Sequence, residues 1–210
     1  MRITVFGAAG DAGRRIVAEG LARGHQVDGV VRSAARTAEL PAGARGLVGD
    51  ALSYDSVLGL VADRDLVITA TRPAHGREAE LVTVAEVMLA ALAAAGGRLL
   101  VVGGAATLTL PDGGTVADAP DFPAGWRPIA DACAGQLARC RAATGVDWTY
   151  FSPAAALSPG ERTGRHRLGG DALVADADGV SALSYEDMAV VLLDEAEQPR
   201  HRGRRFTAAY

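Results

Sequence analysis

Three glycines, Gly7, Gly10 and Gly13, form a GxxGxxG pattern within the run Gly7-Ala8-Ala9-Gly10-Asp11-Ala12-Gly13. The run follows the apolar stretch Ile3-Thr4-Val5-Phe6 and precedes a helical pattern from Asp11 to Arg23. Strand, glycine turn and helix in that order can cradle a pyrophosphate. Gly7 would make the tight turn, Gly10 would let the backbone approach the phosphates, and Gly13 would let the helix pack closely on the sheet. The unpaired N–H groups around Ala9, Asp11 and Ala12 then face the anion. The competing reading is a glycine-rich turn with no ligand. The position of the run inside the first βα unit favours the nucleotide.

The next strand ends at Val31 and is followed by Arg32. A site for the unphosphorylated dinucleotide usually places an acid there, to bind the ribose hydroxyls. Asp28 lies too early in the strand for that role. Arg32 offers a cation and planar donors suited to a 2′-phosphate, with Arg36 as a weaker second candidate. The sequence therefore favours NADPH over NADH, against the plainer reading of Arg32 as a solvated surface residue. Asp50, followed by Ala51, ends the third strand. Its carboxylate could accept from the adenine amine, or simply cap a helix. Thr69-Ala70-Thr71 ends the fourth strand, where small residues let a nucleotide lie close.

What the chain lacks is equally informative. All 21 basic residues are arginine and none is lysine. No side-chain Schiff base can form, and no lysine can lower the pKa of a catalytic tyrosine. Reduction of a ketone would need a positioned acid. Thr107 and His75 are the catalytic candidates, both against plainer readings; His75 also reads as an exposed loop histidine. Tyr150 sits inside a strand and reads as core. His166, between Arg165 and Arg167, is a substrate-side candidate or a solvated residue. Phe122, Pro123 and Trp126 could form a platform for a planar acceptor, and Phe122 reads equally well as core. The histidines His25, His75, His166 and His201 are scattered, so no metal site is expected. Cys133 and Cys140, seven apart in a helical stretch, are about 10 Å from each other, beyond disulfide reach. They read as reduced thiols facing a core.

The elements that must position these residues alternate along the chain. Strands are expected at 3–6, 26–31, 46–48, 66–70, 98–102, 147–151 and 205–209, with a short one at 173–175. Helices are expected at 11–23, 54–61, 77–95, 129–144 and 185–197, the last capped by Ser184. Short, wholly apolar strands separated by helices indicate a parallel sheet covered on both faces, hence an α/β, Rossmann-like doubly wound fold. Residues 103–127 read as a long loop beside the site, and 158–168 as a mobile flap. The chain reads as a single domain, 1–210, with about 152–210 contributing the substrate side. A net charge of −4 argues against nucleic acid. The longest apolar run, 81–97, is broken by Glu86, so no membrane span is expected. The opening directly on a strand suggests no signal peptide and a cytoplasmic protein, monomeric or homodimeric.

The sequence also resembles the NAD(P)H-binding, NmrA-like atypical short-chain dehydrogenases, and within them the bacterial NADH-flavin reductase-like proteins of the YwnB type. The matching residues are the glycine run, Val31-Arg32-Ser33, Gly49-Asp50, Leu100-Val101-Val102-Gly103-Gly104-Ala105 and Asp121-Phe122-Pro123. The more specific blocks are Asp147-Trp148-Thr149-Tyr150-Phe151-Ser152-Pro153-Ala154-Ala155 and Pro159-Gly160-Glu161-Arg162-Thr163-Gly164, with Arg205-Phe206-Thr207 beyond them. The resemblance covers nearly the whole chain. It implies NADPH on the glycine turn and hydride transfer to a flavin or another conjugated small-molecule acceptor. It implies that Ser152-Pro153-Ala154 faces the nicotinamide carboxamide and that Gly103-Gly104-Ala105 lines the other side of the ring. Thr107 departs from the serine common in the family after those glycines. Two other functions fit the same residues: a non-catalytic NADP(H) sensor that binds a protein partner, and a biosynthetic tailoring reductase or isomerase.

Overall fold

The computed structural model describes residues 1–210. Ten strands and five α-helices follow one another as β1 (Arg2–Phe6), α1 (Asp11–Ala22), β2 (Gln26–Val31), β3 (Arg45–Val48), α2 (Tyr54–Val61), β4 (Leu66–Thr69), α3 (Glu80–Ala95), β5 (Arg98–Val102), α4 (Arg127–Ala142), β6 (Asp147–Ser152), β7 (Ala156–Ser158), β8 (Arg167–Gly169), β9 (Ala182–Ser184), α5 (Tyr185–Glu197) and β10 (Arg204–Ala209). Eight strands make one sheet in the order β3-β2-β1-β4-β5-β6-β10-β8. All pairs in it are parallel except β10 with the edge strand β8. The order reverses direction between β1 and β4, the switch point of a doubly wound, Rossmann-like sheet.

Each face of the sheet buries its own apolar cluster. One gathers Ile3, Val5, Ile68 and Phe206 with Ile16 and Val17 of α1 and Met188, Val191 and Leu192 of α5. The other gathers Phe6, Val67, Leu99 and Tyr150 with Val57 of α2, Met88 and Leu92 of α3 and Leu137 of α4. The central strands are apolar on both sides because helices cover both sides. β3, at the edge, is the exception, with three of its four residues exposed. A buried ion pair crosses the layers: Arg98 of β5 donates to Glu195 of α5 at 2.6 Å and to Thr149 of β6 at 3.0 Å. Glu195 also accepts from the backbone of Arg200 and His201, so its carboxylate is satisfied on all sides.

Several expectations need correction. The third helix begins at Glu80 rather than Arg77, because Pro73 and the left-handed Gly76 (φ +83°) keep the preceding residues out of the helix. The loop after β5 is ordered by two 3-10 turns, at Val116–Asp118 and Ala124–Trp126, and buries Ala106 and Leu108. Residues 173–175 form no strand. The expected flap is not free. It runs into the start of β8, and its Arg162 clamps Glu19 of α1 at 2.7 and 2.8 Å. Thr163 and the Gly164 amide both donate to Asp187 of α5. Polar, basic composition there signals ion pairing rather than mobility. No helix is long and apolar enough to cross a membrane.

Candidate functional site

The carboxyl ends of β1, β2, β4, β5 and β6 border one cleft of about 450 Å³. Its centre is the glycine turn. Gly7 adopts φ +78°, and a Cβ there would stand 2.5 Å from the Ala70 carbonyl, so only glycine lets β1 and β4 come together at this point. A Cβ on Gly13 would stand 2.1 Å from the Gly7 carbonyl; this glycine packs beneath the turn instead of facing the cleft. Gly7, Ala9, Gly10, Asp11 and Ala12 all line the opening. Gly10 provides no side-chain cap for α1. The first-turn N–H groups therefore lack a partner within the helix and present partial positive charge to the cleft. The Asp11 carboxylate is offset by Arg14 at 3.0 Å and Arg15 at 3.3 Å. These features fit a diphosphate.

On one side of the turn the cleft is polar. Arg32 is exposed there and makes no ion pair or side-chain hydrogen bond. Arg36 is held by Glu39 at 2.9 Å and also donates to the Ala9 carbonyl at 3.3 Å. The Arg36 guanidinium pKa is raised, first by its hydrogen bond to Glu39. Asp50 and Ala51 line the same end. Asp50 Oδ1 accepts from the Leu52 amide at 3.0 Å, closing a tight turn. The cap of α2 is Ser53, whose hydroxyl accepts from Ser56, so Asp50 is not the helix cap.

The other side is largely apolar. Ala70, Thr71, Gly103 and Pro153 line it, with Leu81 and Val84 of α3, Ile129 and Cys133 of α4, Leu157 of β7 and Tyr185 of α5. Thr69 lies beneath, buried, with its hydroxyl 3.3 Å from that of Thr71. Gly104 also falls outside the lining; a Cβ there would be 3.0 Å from Cys133 Sγ. Gly103 must be glycine because the Tyr150 ring fills the space its Cβ would occupy. Tyr150 itself is core. Its hydroxyl is within 3.1 Å of the Cys133 carbonyl and 3.2 Å of Gln136, and burial pushes its pKa well up. Burial likewise pushes the Cys133 thiol up to about 11, opposed by the nearby charge of Arg72.

The proposed catalytic and substrate residues do not gather here. The His75 side chain is 95% exposed, with its Nδ1 3.3 Å from Glu78. Thr107 accepts from Arg205 through both its hydroxyl, at 2.8 Å, and its carbonyl, at 3.0 Å, away from the cleft. Trp126 projects into solvent, and Phe122 stacks under the Arg127 guanidinium at 5.1 Å. His166 borders a separate hollow between β8, β10 and α5. Sequence reasoning missed Arg72, Cys133 and Tyr185. A signal existed for Tyr185: it opens a helix after a Ser184 cap, and helix starts in such sheets stand at the strand ends that bind ligands. No group of histidine, cysteine or carboxylate side chains is placed to hold a metal.

Comparison with known proteins places this geometry. Over 215 aligned residues the chain is 35% identical to YwnB of Bacillus subtilis, an uncharacterized protein, covering 99% of this chain and 97% of YwnB. A Streptococcus pneumoniae protein, provisionally named an NADH-flavin reductase, superposes with a TM-score of 0.90 at 31% identity over 100% of this chain and 99% of its own. A Bacteroides thetaiotaomicron protein, provisionally named an epimerase, superposes with a TM-score of 0.90 at 34% identity, covering 100% and 96%. The model of the NAD(P)H-binding family matches residues 7–199, from the first glycine of the turn to just past the end of α5, and this chain belongs to that family.

Proposed function

We propose that the protein is an NADPH-dependent oxidoreductase that passes hydride to a planar conjugated acceptor, flavin or quinone-like. The observation that carries this reading is the division of a single cleft. One end holds a free arginine beside a phosphate cradle. The other is an apolar slot, and α4 turns only Ile129 and Cys133 toward it. The tyrosine and lysine that would serve a carbonyl reductase are both missing from that helix. A flavin or quinone makes a smaller demand, because its reduced form can take its proton from water.

When bound, the dihydronicotinamide supplies the hydride. The chain's own residues do the rest. Gly7, Gly10 and the start of α1 hold the diphosphate, Arg32 receives the 2′-phosphate with the Glu39-paired Arg36 as a weaker second contact, and Asp50 and Ala51 border the adenine. Ala70, Thr71, Gly103 and Pro153 line the stretch where the nicotinamide would rest. Tyr185 and Leu157, from the part of the chain after residue 152, form the acceptor's wall. This assigns the substrate side to the C-terminal part of one domain. The two unpaired, buried cysteines suit a reducing, cytoplasmic setting. The −4 charge suits a small molecule rather than nucleic acid as partner.

Stopped-flow mixing of the protein with NADPH and FMN, with menadione as a second acceptor, tests the reading. Coenzyme oxidation well above the protein-free rate is the expected result. Tight NADPH and NADP⁺ binding of equal strength, with no turnover of any acceptor in a broad panel, would point to a nucleotide sensor and overturn it.

A further inference from the structure

We propose that Arg72 is the residue that stabilises the negative charge formed on the acceptor during its reduction, and that the acceptor is therefore one whose two-electron reduced form is an anion. This rests on the hydride-transfer reading above. Three arginines line the cleft. Arg36 is occupied by Glu39 and Arg32 stands at the polar end. Arg72 follows Thr71 directly, at the carboxyl end of β4, and makes no ion pair or hydrogen bond of its own. It is the only cation on the apolar side of the cleft. It lines the same cleft as Ile129 and Cys133 of α4. Arg72 is exposed at the cleft wall, so its donors are free for an anion, and a planar acceptor seated in the cleft would itself displace water from the guanidinium.

The chemistry balances without a protein acid. The C–H bond of the dihydronicotinamide breaks and its hydrogen leaves with both electrons. A new N–H bond forms on a flavin, or a new C–H or O–H bond on a quinone. The coenzyme is oxidised and the acceptor reduced. The acceptor then carries one negative charge, shared by a ring nitrogen and a carbonyl oxygen in a flavin or held on oxygen in a quinone, until water delivers the proton. Arg72 is chemically suited to hold that charge, since its planar fork matches an N–C=O edge and it cannot itself lose a proton.

The test uses the whole protein and the variant Arg72→Met, which keeps the stem and removes the charge. The first readout is binding, by calorimetry in the presence of NADP⁺, of 2-naphthoate against the neutral 2-naphthamide. The wild type is expected to prefer the anion by about tenfold or more, and the variant to lose that preference. The second is single-turnover reduction of FMN at saturating NADPH, expected to fall by about 30- to 100-fold while the NADPH Kd changes less than threefold. Millimolar guanidinium is expected to restore part of the rate in Arg72→Ala. An unchanged rate and unchanged anion preference would overturn the assignment. So would a large loss of NADPH affinity with no loss of rate at saturation, which would give Arg72 to the coenzyme. Absence of NADPH binding by the wild type would instead refute the underlying function.

Discussion

Replacing Arg32 by glutamate is expected to weaken NADPH far more than NADH. Arg32 sits on an exposed rim and has no carboxylate partner, so its charge is available to a ligand. Opposite unit charges about 4 Å apart attract by ~1 kcal/mol in bulk water and by ~4 kcal/mol at an effective dielectric near 20. A phosphate monoester carries about −1.5 to −2 charges at neutral pH. Exposure places Arg32 near the lower of those limits, and physiological salt screens it further over ~8 Å. Removing the cation and then reversing its sign should together cost roughly 2–3 kcal/mol, which is about 30- to 150-fold in the NADPH Kd. NADH has no 2′-phosphate, and the new carboxylate can accept from its ribose hydroxyls. Its Kd should move by less than about threefold on the same scale. Titration of both reduced coenzymes by nicotinamide fluorescence, at low and high salt, measures the difference. Raised salt should narrow the wild-type preference for NADPH and leave NADH almost unaffected. Equal losses for the two coenzymes, or a wild type that prefers NADH, would refute the assignment of Arg32 to the 2′-phosphate.

Gly13→Ala puts a methyl 2.1 Å from the Gly7 carbonyl, so the turn must move. A cost of about 3 kcal/mol is expected, seen as a Tm lowered by roughly 6–12 °C and as lost coenzyme binding; an unchanged melting curve would show that α1 can slide freely on the sheet. Glu19 has its pKa lowered, first by its hydrogen bond from Arg162, and Asp187 is lowered because bonds from Thr163, Gly164 and Tyr210 outweigh its burial. Depressed folded values mean that this stability is fully present above the ordinary carboxylate pKa values of 4.5 and 3.8 and is lost as pH falls through the lower folded values. Thermal melts from pH 7 to pH 3 should be flat at first and then fall, with Glu19→Gln less stable at pH 7 and less sensitive to acid; a parallel pH profile for the variant would contradict the ion-pair account. Burial holds the Cys133 and Cys140 thiols up to about 11 and about 12, so both should react slowly with a disulfide reagent at pH 8. Stoichiometric labelling within seconds would show that α4 opens readily.

The coenzyme half of the cleft could be read from sequence because its demands are local. A tight turn, a close approach and a helix start fall within seven consecutive residues, and each demand selects glycine. Five of the parallel strands, β1, β2, β4, β5 and β6, were equally readable, since burial on both faces leaves mostly apolar runs; the exposed edge strand β3 carries a weaker signal. The three-residue strands β7, β8 and β9 are too short to carry any period. The acceptor half depends on distant segments meeting. His75 and Arg72 lie three residues apart on one loop, yet only Arg72 borders the cleft, and nothing in the residue types distinguishes them. Phe122 and Trp126 have the chemistry of a platform, but their loop carries them outward. Tyr185 gains its place only when α5 folds back beside β6. The free exposure expected of residues 158–168 failed for a related reason: Glu19 and Asp187, which hold them, lie 143 and 23 residues away.

The Arg162 clamp gives the molecule a mechanical linkage. The same helix α1 that begins at the phosphate cradle carries Glu19, about two turns later, under a guanidinium sent from the far rim. Glu186, at the start of α5, repeats the arrangement by gripping Arg15 of α1 at 2.9 Å and the Gly160 amide at 2.9 Å. The rim therefore cannot lift as a separate cover; pulling on it would pull on the coenzyme's own seat. A protease nick at Arg165 would register first as a slackened grip on the dinucleotide.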